Sequence, residues 1–238
     1  MEAEAAAAGH YIAAASPPEH QGAFDGECLF ADDDLLVLIK PSGLLCVPGR
    51  GPDKQDCLSA RAQARWPEAL IVHRLDQATS GIVLMARHAQ AQRALGDAFA
   101  ERRVDKRYEA VVQGLPATAK ADADGWHSID LPIAADWERR PLRVIDAASG
   151  KPSLTRWRAI AHDPAAQTTR VELQPVTGRT HQLRVHLAAI GHPILGDALY
   201  ADAPVQSRAA RLLLHARQVA FTHPSTGQPM AFSKPAPF

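Results

Sequence analysis

The sequence predicts an α+β fold: a mixed, mainly antiparallel sheet with flanking helices and loops. Three observations lead there. Apolar runs of strand length outnumber segments with helical periodicity. Those runs cluster rather than alternating with helices, which argues against a doubly wound parallel sheet. Gly, Pro and Asp punctuate the gaps between them.

Taken in order, "LLVLIKPSG" (35–43) is an apolar strand closed by a Lys-Pro-Ser-Gly turn. "CLSARAQARW" (57–66) has the makings of a short helix, stopped by Pro67. "LIVHRLD" and "GIVLMAR" read as two strands around a polar centre. Residues 88–103 place Ala91, Leu95, Ala98 and Phe99 at helical spacing. "KRYEAVVQG", "HSIDLPI", "SLTRWRAIA" and "TTRVELQPV" return to strand character. In "THQLRVHLAAIG" (180–191), Leu183, Leu187 and Ile190 form one helical stripe, with Thr180 as N-cap and Gly191 as C-cap. "RLLLHARQVAFTHP" reads as a strand or short helix leading into strands near the C-terminus.

A chain of 238 residues is long enough to bury a real core. It shows no internal repeat, and no composition shift after residue 25 marks a second domain. Residues 1–24 read as a flexible Ala-rich leader, and 25–238 as one domain. The leader has no basic n-region and carries Glu2 and Glu4, so it is not a signal peptide. No apolar run approaches membrane-spanning length, so no membrane partner is expected. Cys28, Cys46 and Cys57 form no CxxC pair, which gives neither a disulfide framework nor a zinc signature, and a cytoplasmic location is expected. The formal net charge is zero, which argues against a purely electrostatic nucleic-acid binder but says nothing of local patches.

"HRLDQATSG" (73–81) sets one carboxylate, Asp76, between two strand-like runs. Asp followed by small polar residues and Gly is good turn chemistry. His73 reads equally as a satisfied core histidine and Arg74 as a surface charge. A chemical role for Asp76 needs it ionised in a partly desolvated place, which a fixed guanidinium would secure. "TGRTHQLRVH" supplies Arg179 at a helix entry and Arg184 beside the buried stripe. Arg184 is there either to snorkel or to pair with a buried carboxylate.

At this point five segments, in order, resemble the RluA family of RNA pseudouridine synthases. They are "LIKPSGLLCVPGR" (38–50), "VHRLDQATSGIVLMAR" (72–87), "KRYEAVVQG" (106–114), "TGRTHQLRVHLAAIGHPILGDALY" (177–200) and "LLLHARQVAFTHPSTG" (212–227). The resemblance runs from about residue 30 to 235. "DLPIAADWERRP" and "GHPILGDALYA" are similar to the member with both 23S ribosomal RNA and tRNA substrates. The leader is too short for the S4 domain that several relatives carry.

The resemblance implies a single pseudouridine synthase catalytic domain that isomerises uridine without a cofactor. It implies structured RNA, 23S rRNA and the tRNA anticodon loop, as partner. Asp76 matches the catalytic aspartate, expected to act as nucleophile. Arg184 matches the arginine paired with it, and Tyr108 the active-site tyrosine, whose ring stacks on the base and whose hydroxyl is placed to assist proton removal at C5. Leu214 is expected to line the uracil pocket. The nucleotide must leave its stack to react, and Arg74 is the candidate to fill the gap or bind its phosphate. Arg179, Arg139, Arg140 and Arg143 are RNA-binding candidates, the last three from "WERRPLR" (137–143). "ERRVDKR" (101–107) is either a second basic patch or a solvated helix end.

Two rivals are weaker. The chain has 11 histidines, but His181 and His186 are five apart, not the i,i+4 of a helical zinc pair, so no metal is expected. An RNA-binding protein with a dead site would have no reason to keep Asp76, Tyr108 and Arg184 together. A monomer is expected, since no exposed apolar stripe is evident in the sequence.

Overall fold

Two neighbouring strands that are apolar at almost every position organise one half of the sheet. The computed structural model describes residues 26–116 and 121–238, so the expected leader lies outside the described residues. Leu35–Lys40 (β2) and Ser80–Ala86 (β4) pair antiparallel. Their alternate residues enter different cores. Leu36, Leu38, Val83 and Met85 pack with Leu58 and Ala62 of Leu58–Arg65 (α1) on one face. Leu35, Val37, Ile82 and Leu84 pack with Ala91, Leu95 and Ala98 of Ala89–Ala100 (α2) on the other. Burial on both faces is why these strands read as unbroken apolar runs rather than alternating ones.

The remaining strands extend this pair. Glu27–Ala31 (β1) flanks β2, and the two-residue Leu70–Ile71 (β3) pairs with the far end of β4. Asp105–Gln113 (β5), His127–Asp130 (β6), Leu154–Asp163 (β9), Thr168–Pro175 (β10), Leu214–Thr222 (β11) and Pro229–Ser233 (β12) complete a ten-stranded sheet in the order β1-β2-β4-β11-β5-β10-β9-β6, with β12 on β11. Ile133–Ala135 (β7) and Arg143–Ile145 (β8) form a separate hairpin. Gln182–Ala189 (α3) covers the β5–β10 half through Leu183 and Leu187, against Ala110, Val112, Val171 and Leu173. A short helix, Ala203–Gln206 (α4), follows it. The expected α+β, mainly antiparallel sheet is therefore present.

One strand pairing runs the other way, and it positions the site. β4 and β11 pair parallel at Ser80–His215 and Gly81–Ala216. Gly81 has φ +121, and a Cβ there would lie 2.3 Å from the Ala216 carbonyl oxygen. Only glycine permits this approach. It joins the loop before β4 to the half of the sheet that carries β5 and α3.

Two expectations are corrected. "LIVHRLD" is mostly not a strand: β3 ends at Ile71, and His73 Nε2 accepts the Leu84 N–H at 3.0 Å where a strand carbonyl would stand. Thr180 is not the cap of α3. His181 holds that position with φ +59, no side-chain cap bond forms, and the Gln182 side chain accepts from Arg179 N–H instead.

Candidate active site

Asp76 lies on the loop between β3 and β4. The Asp76 carbonyl accepts the Thr79 N–H, as turn chemistry requires, but most of the restraint comes from residues 40–46. Ser42 Oγ donates to the Ala78 carbonyl at 2.7 Å, Gly43 N–H to Gln77 at 2.9 Å, and Leu75 N–H to Cys46 Sγ at 3.2 Å. Ser80 Oγ meets His215 Nδ1 at 2.8 Å and accepts from Arg211 at 2.5 Å.

Lys40 is the centre of this restraint. Its side chain is fully buried, and Nζ donates to the carbonyls of Pro41, Leu44 and Gln77 at 2.8, 2.7 and 2.9 Å. Burial brings its pKa down to about 8. A methionine would fill similar space but leave those carbonyls without their donor. Lys40→Met is expected to destabilise the fold by about 2–4 kcal/mol, measured as a shift in denaturant midpoint, and to slow turnover by loosening the Asp76 loop.

Above this loop is a cavity of about 530 Å³, within the range of small-molecule sites. Asp76, Tyr108, Arg184, Arg74, Arg179 and Leu214 all line it. The structure thus brings together six residues from four separate segments of the sequence. Arg139, Arg140 and Arg143 are not among its lining residues. Arg139 and Arg140 sit on the β7–β8 turn, where Arg139 pairs with Asp136 and Arg140 stacks 4.0 Å over Trp137, and Arg143 begins β8.

The pairing of Arg184 differs in detail from the expectation. Its Nη1 reaches Asp76 Oδ2 at 3.5 Å. Its bidentate partner is Asp197, a fully buried residue whose carboxylate takes Nε at 2.8 Å and Nη2 at 2.6 Å. Asp197 Oδ1 also accepts the N–H groups of Leu199 and Tyr200. Asp197 therefore holds the guanidinium by two of its three nitrogens and leaves the third facing Asp76. The positive charge is fixed beside Asp76 without covering its oxygens.

His181 faces Asp76 from the other side, with Nε2 at 3.9 Å from Oδ1. Its tautomer follows from its partners. Tyr200 Oη accepts the Arg143 N–H at 3.0 Å, so its own proton points to His181 Nδ1 at 2.7 Å. Burial raises the Tyr200 pKa to about 12, which keeps that proton in place. His181 Nε2 then carries the ring hydrogen and presents it to Asp76. Burial lowers the His181 pKa, so the ring is neutral at neutral pH.

Tyr108, on β5, lies against the same cavity. Burial, and then the Asp76 charge, raise its pKa above the ordinary tyrosine range. A phenol that keeps its proton is not a base in its own right; it can move a proton only by passing one on as it takes another.

The "ERRVDKR" segment divides. Arg103 pairs with Glu101 and Arg107 with Asp105 at the surface, whereas Arg102 and Lys106 line the cavity. Four cations at the rim, Arg74, Arg102, Lys106 and Arg179, have no ion pair among the described residues, while most other arginines are matched by carboxylates. Zero net charge and a cationic rim are compatible for this reason.

The histidines are mostly structural. His73 stacks on Phe99 with centroids 4.4 Å apart, and burial pulls its pKa to about 3. His186 is held between Thr155 Oγ1 and the Leu131 carbonyl, both at 2.9 Å. The structure does gather Asp32, Asp34 and His223, which sequence spacing did not suggest. His223 Nδ1 accepts the N–H groups of Ser225 and Thr226, so its Nε2–H donates to Asp32 at 2.8 Å and neither ring nitrogen faces a cation.

Sequence reading missed Asp197, His181, Tyr200 and Lys40 as site residues. All four lie inside quoted segments, but nothing in local spacing links them to Asp76.

A buried arginine set against one accessible carboxylate, under a cation-rimmed cavity on this sheet, defines an enzyme acting on an anionic substrate. Residues 34–189 match the RNA pseudouridylate synthase family model. The chain belongs to that family, and it is an RNA pseudouridine synthase, an isomerase. It is similar to proteins described as dual-specificity RNA pseudouridine synthase RluA. That of Escherichia coli (strain K12) is 45% identical over 210 residues, covering 88% of this chain and 93% of that protein. That of Yersinia pestis is also 45% identical, covering 88% and 98%. Among solved structures, human RNA pseudouridylate synthase domain containing 1 superposes with a TM-score of 0.74 at 30% identity, covering 92% of this chain and 87% of that one. Human RNA pseudouridylate synthase domain containing 4 gives 0.67 at 25% identity, covering 88% of each.

Proposed function

We propose that this chain converts specific uridines to pseudouridine in both 23S ribosomal RNA and the tRNA anticodon loop. The observation that carries the chemistry is Asp76, accessible in the cavity while Arg184 is fixed beside it by Asp197. The dual substrate rests on the relatives described as dual-specificity synthases and on the segments similar to theirs.

In this reading Asp76 is the nucleophile and Arg184 sets a fixed positive charge beside it. The target nucleotide is flipped into the cavity, where its base stacks on Tyr108 with Leu214 as a wall. Arg74 enters the vacated stack or holds the displaced phosphate. The protonated Tyr108 hydroxyl, rather than a phenolate, is placed to assist removal of the C5 proton. Tyr108→Phe is therefore expected to leave KM near wild type and lower kcat by about 10²-fold. Steady-state tritium release from C5-labelled RNA would measure this, and an unchanged kcat would remove the hydroxyl from the chemistry.

The partner is structured RNA, read by shape and by splayed bases. We further propose a cytoplasmic monomer. Three free cysteines support a reducing compartment. Large exposed apolar side chains, Leu115, Trp137 and Ile160 among the described residues, are scattered singly.

Pseudouridine mapping of 23S RNA and tRNA tests the proposal. Cells lacking the gene would be compared with cells rescued by wild type or Asp76→Asn. Sites that vanish and return only with wild type fix both chemistry and substrates. If no site changes with the gene, the dual-substrate reading fails.

A further inference from the structure

Helices α2 and α3 end in the same hydrogen-bond pattern, and only one of them ends in glycine. At α3, Gly191 N–H donates to Ala188 and His192 N–H to Leu187, with Gly191 at φ +83. At α2, Arg102 N–H donates to Phe99 and Arg103 N–H to Ala98, with Arg102 at φ +60. Both are Schellman motifs, whose left-handed position normally goes to glycine because a Cβ is crowded there. The chain places a large arginine in that position and accepts the strain.

Strained residues are evidence only when something else is at the same place. Here it is. The described residues include three non-glycine residues with positive φ, Arg102, Gln167 and His181, and two of them line the catalytic cavity. Arg102 lines the cavity together with Lys106, Arg74 and Arg179. Its neighbours in sequence have acidic partners: Arg103 has Glu101 at 2.7 Å, and Arg107 has Asp105 at 3.4 Å. Arg102 has no carboxylate within ion-pair distance among the described residues, and it is exposed. A cation at a helix C-terminus gains a little from the helix dipole. That gain needs no positive φ, since Arg103 already places a cation at the same helix end.

We propose that Arg102 is a phosphate-binding residue for the RNA strand beside the flipped nucleotide, held at the cavity rim by the strained end of α2. The inference rests on the RNA substrate proposed above. A nucleotide inserted in the cavity leaves its flanking phosphodiesters at the opening. A guanidinium without an acidic partner suits a phosphate oxygen pair.

The strain gives a test that separates binding from folding. Arg102→Gly removes the guanidinium and relieves the backbone. Arg102→Asn does the same with the next residue most at ease in this conformation. Thermal melting and binding of an unmodified tRNA transcript at several salt concentrations would be measured for wild type and both variants. Both variants should melt at or above the wild-type temperature. Both should bind RNA about 5-fold more weakly. The slope of log K against log salt should become shallower by about 0.7–0.9, the loss of one phosphate contact. Wild-type slope and affinity in either folded variant would overturn the inference and leave the RNA reading intact. A lower melting temperature with an unchanged salt slope would overturn it too, assigning Arg102 to helix stability. A wild-type protein that fails to bind the transcript would instead sink the tRNA substrate and the inference with it.

Discussion

Asp76→Asn is expected to abolish pseudouridine formation and leave a folded, RNA-binding protein. The expectation rests on how lightly Asp76 is tied to its surroundings. Its carboxylate stands 3.5 Å from Arg184 and 3.9 Å from His181, beyond direct hydrogen bonds. The loop is held by its backbone, through Lys40, Ser42 and Gly43, and not by the Asp76 side chain. The isosteric amide therefore removes little stability, within about 1 kcal/mol. Arg184 keeps its place on Asp197 whichever residue stands at 76. What is lost is the nucleophile, and losing a nucleophile costs on the order of 10⁴-fold or more. Single-turnover conversion of a tRNA transcript, with melting and binding measured in parallel, would check both halves. Wild-type conversion in the variant would end the nucleophile assignment.

Much of the architecture was readable because burial imposes a period on the sequence. The double-faced burial of β2 and β4 produces unbroken apolar runs, and the one-sided burial of α2 spaces Ala91, Leu95 and Ala98 helically. Asp76, Tyr108 and Arg184 were found through motif resemblance, and the structure places all three at one cavity. What was not readable is what tertiary contacts decide. The extent of β3 depends on a histidine nitrogen replacing a strand carbonyl at Leu84. The tautomer of His181 depends on a backbone N–H from β8 reaching Tyr200. The division of "ERRVDKR" into paired and unpaired cations depends on which way each side chain leaves the turn after α2. None of these follows from local spacing or propensity.

Asp197 is the residue whose loss should damage both stability and chemistry. It is fully buried and makes a bidentate pair with an arginine only 4% exposed. Removing one partner of such a pair strands the other charge, so Asp197→Ala is expected to destabilise the fold by about 3–5 kcal/mol. The chemical effect has a different origin. With Asp197 gone, Nε and Nη2 of Arg184 lose their partner, and the nearest remaining carboxylate is Asp76. A bidentate Arg184–Asp76 pair would tie up the oxygens that the reaction needs. The rate should then fall even at temperatures where the variant is fully folded. The double variant Asp197→Leu with Arg184→Met separates the two effects. Replacing the whole pair by apolar side chains should recover most of the stability, since a buried ion pair is worth little against good packing. It should not recover turnover, because Asp76 then has no fixed charge beside it. Denaturant midpoints and single-turnover rates on the single and double variants would show this. Wild-type kcat in folded Asp197→Ala would mean that Arg184 holds its position without Asp197. Restored turnover in the double variant would mean that Asp76 needs neither.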